Sequence, residues 1–218
     1  MRPVRGKYWT GPKAAVAARY LNSRLRTLAE ILLLGNIRPA LMKYILPQLR
    51  GGEVVVDIGA GSGYTALPLA RRLGKGSVIC LDLSMEMLQL LASLAGRRGL
   101  LDRVKVMLCD AQSVALPDSC ADLVLCVAVL HELVSPERAA LEMARIVKTC
   151  GRVVVADFRP TWLGRLLACH VAESHGPFSA RDMVALLMQA GLSVKKVQLL
   201  RHWVIAVARR DASKAPSS

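Results

Sequence analysis

Three acidic residues each close a short apolar run in this 218-residue chain: Asp57 in Val54-Val55-Val56-Asp57-Ile58, Asp82 after Val78-Ile79-Cys80-Leu81, and Asp110 after Val104-Lys105-Val106-Met107-Leu108-Cys109. Behind the first run comes Gly59-Ala60-Gly61-Ser62-Gly63, and then Thr65 to Leu73 with apolar residues at helical spacing. A β-branched run with no polar residue before Asp57 reads as a buried parallel strand. Alternate glycines let the backbone turn tightly and pass close to a ligand, where a Cβ would obstruct it. A ligand is therefore expected against the backbone at the carboxyl end of this strand. A carboxylate accepts hydrogen bonds from two adjacent hydroxyls, so Asp82 at the end of the next strand suits a ribose diol. That acid would serve NAD equally well.

The glycine spacing separates the two kinds of ligand. Dinucleotide sites place G-x-G-x-x-G at this turn, whereas the pattern here is Asp57-x-Gly59-x-Gly61-x-Gly63. It closely resembles the first motif of class I S-adenosylmethionine-dependent methyltransferases, and within them the broad group that contains the ubiquinone and menaquinone biosynthesis enzymes. The resemblance covers roughly residues 51–209 and implies S-adenosylmethionine as cofactor, with S-adenosylhomocysteine as product. On that resemblance, Gly59, Ala60, Gly61, Ser62 and Gly63 line the methionine part of the cofactor, and Asp57 helps to hold its ammonium group. Asp82 and Leu83 meet the ribose. Asp110-Ala111 faces the adenine, and Val127-Ala128 passes under the sulfonium.

The same resemblance turns the end of the fourth apolar run, Asp122 to Leu130, toward the methyl acceptor, which makes His131 the best-placed titratable side chain. A histidine titrates near neutrality and could take a proton from an acceptor hydroxyl, thiol or amine. The competing reading is a histidine that only bonds a neighbouring backbone carbonyl. No metal is expected. The six cysteines form no C-x-x-C pair, and His170 and His175 do not share one helix face. Buried, reduced thiols are the expectation.

The chain is strongly basic, with a formal charge of +14 and a pI near 10.1. Ten Lys and Arg residues against Glu30 alone fall within the first fifty residues. Residues 1–50 read as a basic helical N-terminal cap: an amphipathic helix over 13–34, with Ala17, Leu21, Leu25, Leu28 and Leu32 on one stripe, then a short helix from Ala40 to Leu46. Three roles compete for it: a solvated face over the cofactor pocket, attraction to an anionic membrane surface, and attraction to RNA. Aromatics are only 4% of the chain, which counts against base stacking and RNA. Tyr8-Trp9 reads as a lid or an anchor. No apolar run approaches the roughly 18 to 20 residues that span a bilayer, and no signal core follows Met1-Arg2-Pro3, so a cytoplasmic protein is expected.

To position these groups the chain must alternate strands and helices. Ser84 is placed as N-cap of a helix over 85–97, Ser135-Pro136 opens one over 136–147, Gly151 to Asp157 is a fifth strand, and Ser179 caps a helix over 180–190. Residues 193–200 and 203–209 read as an antiparallel pair, and 210–218 as a disordered tail. Between them, residues 161–177 form an insertion with Trp162, Leu163, Leu166, Leu167 and Val171 on one side, which the resemblance implies lines the acceptor pocket. This is an α/β pattern, a mostly parallel sheet with helices on both faces and a C-terminal antiparallel hairpin, which the resemblance makes a Rossmann-like sheet of seven strands. The activity expected is methyl transfer to a small or lipid-like apolar acceptor by in-line displacement. No Asn-Pro-Pro-Tyr motif, with which many nucleic-acid-modifying relatives grip a base, follows the fourth strand. The alternatives are an RNA methyltransferase and a cofactor-binding module without catalysis. Oligomeric state is left open.

Overall fold

The structure is a computed structural model that describes residues 37–168 and 175–212. The helix expected over 13–34, Tyr8-Trp9, Val171, His170 and the last six residues of the tail lie outside the described residues. In chain order the elements are α1 (Ile37–Ile45), β1 (Val54–Ile58), α2 (Ala66–Ala70), β2 (Ser77–Asp82), α3 (Met85–Gly96), β3 (Val104–Leu108), β4 (Ala121–Val127), α4 (Pro136–Ile146), β5 (Val147–Phe158), α5 (Trp162–Ala168), α6 (Ala180–Gln189), β6 (Ser193–Leu199) and β7 (Trp203–Arg209). Short 3₁₀ turns occupy Leu46–Gln48 and Leu130–Glu132.

The seven strands form one sheet in the order β3-β2-β1-β4-β5-β7-β6. The first five in that order are parallel neighbours, while β7 pairs antiparallel with both β5 and β6. The chain crosses the sheet between β3 and β4, so strand order reverses on the two sides of β1. In open α/β sheets a ligand binds at that point, outside the carboxyl ends of the strands. Two apolar layers sandwich the sheet. One includes Val56, Val124, Met143 and Leu187; the other includes Leu41, Val55, Leu69 and Leu123.

Several element boundaries differ from the sequence reading for physical reasons. β4 stops at Val127 because Ala128 adopts a left-handed backbone, φ 57°, and the apolar continuation becomes a 3₁₀ turn rather than strand. The first described helix already includes Ile37 to Pro39, ahead of the expected Ala40, and Ile37, Leu41 and Ile45 make one buried stripe on it. In β5 the ladder with β4 jumps from Ala121↔Val147 to Leu123↔Arg152, so residues 148–151 form a bulge, with Cys150 left-handed at φ 62°. Cys150 is accordingly exposed, against the expectation of buried thiols, whereas Cys80, Cys109 and Cys126 are buried. The expected caps divide. The Ser84 and Ser179 hydroxyls accept from the backbone amides of Met87 and Asp182, while the Ser135 hydroxyl bonds the Glu137 carboxylate instead.

One side-chain network sets the loop that follows β3. Arg145 on α4 forks onto both carboxylate oxygens of Glu142 at 2.9 and 2.8 Å, and donates to the carbonyls of Val114 and Leu116 and to Asp118. Glu142 in turn accepts from the Val114 amide at 2.6 Å. Its bond to Arg145 holds the Glu142 carboxyl below the usual range. The loop carrying Asp110 is thus strapped to α4. Replacing Arg145 by Met is expected to lower the unfolding free energy by about 1–3 kcal/mol, as the loss of charge-assisted bonds to part-buried acceptors predicts. Urea denaturation measures it.

Candidate functional site

Asp57, Asp82 and Asp110 all emerge at the carboxyl ends of β1 to β3, which the register Asp57↔Cys80 and Asp82↔Leu108 brings to one edge of the sheet. Val127 and Ala128 reach the same edge from β4, on the other side of β1.

The glycine turn owes its composition to more than one cause. A Cβ on Gly59, φ 65°, would lie 2.2 Å from the Val129 Cγ2, so this glycine is required by a neighbouring loop. Gly63, φ 88°, is closed in by Leu67 and Leu91. Gly61, φ 52°, faces open space, so of the three it is the one whose missing Cβ leaves room for an approaching ligand. Ala60 and Ser62 are buried, and the Ala60 amide bonds the Leu81 carbonyl at 2.9 Å, which hooks the turn onto β2.

Asp57 is 1% exposed and its Oδ2 accepts from the Thr65 hydroxyl, so it braces the start of α2 from beneath the turn. Burial pushes its carboxyl up to about 7, with the charge of Asp82 adding to the effect and the Thr65 bond opposing it. Asp82 is held at both oxygens: Oδ2 accepts from the Gly61 amide at 2.8 Å and Oδ1 from the Ser84 amide at 2.9 Å. Each oxygen keeps a second acceptor direction, which is what a diol needs. Desolvation raises its proton affinity too, and Glu132 contributes in the same sense. Asp110 uses Oδ1 to accept from the amide and side chain of Gln112, at 2.8 and 3.3 Å. Leu83 is half exposed, Ala111 buried.

His131 is 1% exposed, and its partner was not foreseen. Its backbone amide donates to Asp157 Oδ2 at 3.1 Å and its Nδ1 lies 2.7 Å from Asp157 Oδ1. Asp157 is fully buried at the end of β5 and also accepts from the Phe158 amide at 2.7 Å. The other ring nitrogen, Nε2, lies 3.7 Å from Glu132 Oε1. The His131 carbonyl accepts from the Gly176 amide at 3.1 Å, tying the end of the 161–177 insertion to this loop. The geometry thus holds the imidazole by a buried carboxylate rather than by a backbone carbonyl. A signal existed in the sequence, an acid closing the strand after the histidine, but pairing the two requires the register Val127↔Ala156.

Not every residue expected around the acceptor turns inward. On α5 Leu163 is buried, while Trp162 and Leu166 are 74% and 62% exposed. Among the described residues no group of three or more His, Cys, Asp or Glu side chains is arranged to hold a metal ion, and no helix is long and apolar enough to cross a membrane.

Comparison with known proteins agrees with this architecture. Residues 56–155 match the family described as methyltransferase domain. The ubiquinone/menaquinone biosynthesis C-methyltransferase of Cupriavidus pinatubonensis is 36% identical over 118 residues, 52% of this chain and 46% of that protein. The protein of the same description from Paraburkholderia xenovorans is 30% identical over 154 residues, 68% of this chain and 59% of that one. The chain therefore spans about half the length of the curated relatives it matches. A crystal structure described as a SAM dependent methyltransferase from Aquifex aeolicus superposes with a TM-score of 0.70 at 22% identity, covering 89% of this chain and 97% of that one. At that identity the likeness is one of fold.

Two outcomes test this geometry. Alanine at either Gly59 or Gly61 takes on left-handed strain of about 1–2 kcal/mol, but only at Gly59 does the new Cβ meet Val129, so Gly59→Ala is expected to lower the melting temperature clearly more than Gly61→Ala does. The raised affinity of Asp57 for its proton sets a sign. The folded state holds the proton more tightly than the unfolded one, so this stabilising contribution is complete below about pH 4 and lost as pH rises through about 7. Urea melts across that window are expected to show a steeper fall of stability for the wild type than for Asp57→Asn.

Proposed function

We propose that the chain is a class I S-adenosylmethionine-dependent methyltransferase, a reading supported by the matched methyltransferase domain and the curated relatives, and that it transfers a methyl group from S-adenosylmethionine to a small or lipid-like apolar acceptor. The observation that carries this reading is the row of groups along one sheet edge: the turn at Gly61, the doubly held Asp82, Asp110 on its strapped loop, and the left-handed Ala128 across the switch point. They fit this cofactor on chemical grounds. Gly61 leaves room beside the backbone, Asp82 retains acceptor directions for a diol, and the buried Asp57 and part-buried Asp82, both with raised proton affinity, favour a nearby cation such as the methionine ammonium. In this reading Gly59 to Gly63 and Asp57 face the methionine part, Asp82 and Leu83 the ribose, Asp110 and Ala111 the adenine, and Val127 and Ala128 the region of the sulfonium.

Bound, the cofactor supplies a methyl group already made electrophilic by the sulfonium. The protein's task is to hold the acceptor's lone pair in line behind that methyl and to exclude water, gaining rate from proximity and orientation. His131, oriented by Asp157, takes the acceptor's proton where the acceptor must lose one. The half of the chain beyond β4 supports an apolar acceptor: Val134, Trp162 and Leu166 expose apolar surface on the segments that follow β4 and β5. The relatives named for quinone biosynthesis point in the same direction. We place the reaction in the cytoplasm, with residues 1–50 as a basic cap that meets an anionic membrane surface and 51–209 as the methyltransferase domain.

Calorimetric titration tests the cofactor. S-adenosylmethionine and S-adenosylhomocysteine are expected to bind in the micromolar range, NADH not at all, and Asp82→Ala to weaken binding roughly 10- to 100-fold, as loss of charged hydrogen bonds predicts. Binding of NADH alone would overturn the reading. With an acceptor in hand, His131→Asn is expected to lower kcat about 100-fold or more while leaving affinity for S-adenosylhomocysteine unchanged. An equal loss in both would reduce His131 to a brace.

A further inference from the structure

At the opposite end of the sheet from the glycine turn lies a recess of about 490 Å³, framed by the residues that enter β1 and β4, the bulge of β5 and the end of β7. Six charged residues line it: Arg50, Glu53, Asp122, Lys148, Arg152 and Arg209. The two acids are already engaged. Glu53 accepts from the amides of Arg50 and Gly51, and Asp122 accepts from the Val54 amide at 2.9 Å and from Lys148 Nζ at 2.8 Å. The guanidinium groups of Arg50, Arg152 and Arg209 meet no carboxylate among the described residues.

Two of these arginines stand directly opposite one another, Arg152 on β5 and Arg209 on β7, so their side chains leave the sheet on the same face. Like charges in that relation destabilise a sheet. Arg152 is also 8% exposed, and its Nη1 is buried with no hydrogen-bond acceptor. Burial, reinforced by the charge of Arg209 and only partly offset by that of Glu53, holds its pKa below the ordinary arginine value. A buried cation with an unmet donor is costly to a fold. The β5 bulge beside it adds a second irregularity, since Cys150 takes a left-handed backbone and a Cβ on Gly151 would sit 2.7 Å from the Lys148 carbonyl. Bulges of this kind recur beside binding sites.

From this geometry we propose that the recess is a second ligand site, binding a small soluble oxyanion of the phosphate type. Planar guanidinium groups present paired donors that match phosphate oxygens, and a multiply charged oxyanion between Arg152 and Arg209 would supply both the missing acceptor and the missing countercharge. The volume lies within the range of small-molecule pockets. A polymer such as RNA would call for an extended basic surface, which a recess does not provide. The site lies at the amino ends of the parallel strands and shares no residue with the cofactor edge, so its occupancy does not depend on methyl transfer.

The experiment is calorimetric titration of the full chain with inorganic phosphate and with pyrophosphate at constant ionic strength, set against chloride, alongside thermal melts. The wild type is expected to bind at one saturable site and to melt at a higher temperature when the site is filled. Arg209→Gln, a change at an exposed position, is expected to bind at least about tenfold more weakly while melting cooperatively. Arg152→Met removes the unpaired buried charge; it is expected to melt no lower than the wild type without phosphate and to gain nothing when phosphate is added. The proposal is overturned if no saturable binding occurs, if both variants bind as the wild type does, or if these arginines bind only RNA or anionic vesicles and no free oxyanion.

Discussion

The arrangement of the groups at the carboxyl ends of the strands depends on one carboxylate. Asp82 ends β2, yet its two oxygens reach the Gly61 amide on one side and the Ser84 amide on the other. A single side chain thereby joins the turn after β1 to the start of α3, two segments that the parallel register brings close but does not bond to each other. Because the carboxylate is largely buried, losing either amide would leave a desolvated charge with too few donors, which costs more than the bond itself contributes. The turn is held in shape before any ligand arrives. Such preorganisation is what lets a small number of polar groups bind a large cofactor without a further ordering cost.

What the sequence made legible was the local part of this site. Strand, glycine turn and helix follow one another within twenty residues, and the N-caps at Ser84 and Ser179 are decided within a single helical turn. Groups whose meaning depends on register were not legible. Asp157 sits 26 residues from His131 and becomes its partner only because β4 and β5 lie side by side. Arg145 similarly spans some 30 residues to the carbonyls of Val114 and Leu116. The pairing of Arg152 with Arg209 needs the antiparallel return of β7. In α5 the apolar pattern was visible but its direction was not: a stripe that would pack inward in most helices is turned largely outward at Trp162 and Leu166.

The two ends of the sheet differ in electrostatic character. At the carboxyl ends, the buried Asp57 and the part-buried Asp82 have raised proton affinity. At the amino ends, arginines outnumber the acids left to meet them. An overall charge of +14 conceals this polarity. Non-specific attraction to polyanions follows from the sum, but discrimination among ligands follows from the distribution.

The contact between Gly59 and Val129 has a consequence for how this chain can vary. The loop after β4 pushes an isopropyl group into the notch left by the glycine, so the space belongs to both positions at once. A larger residue at 59 would demand a smaller one at 129 as well as a tolerance for positive φ, and neither replacement alone leaves the packing intact. The two positions are therefore expected to drift together or not at all, which links the inheritance of the glycine turn to that of the loop after β4 across some seventy residues of chain.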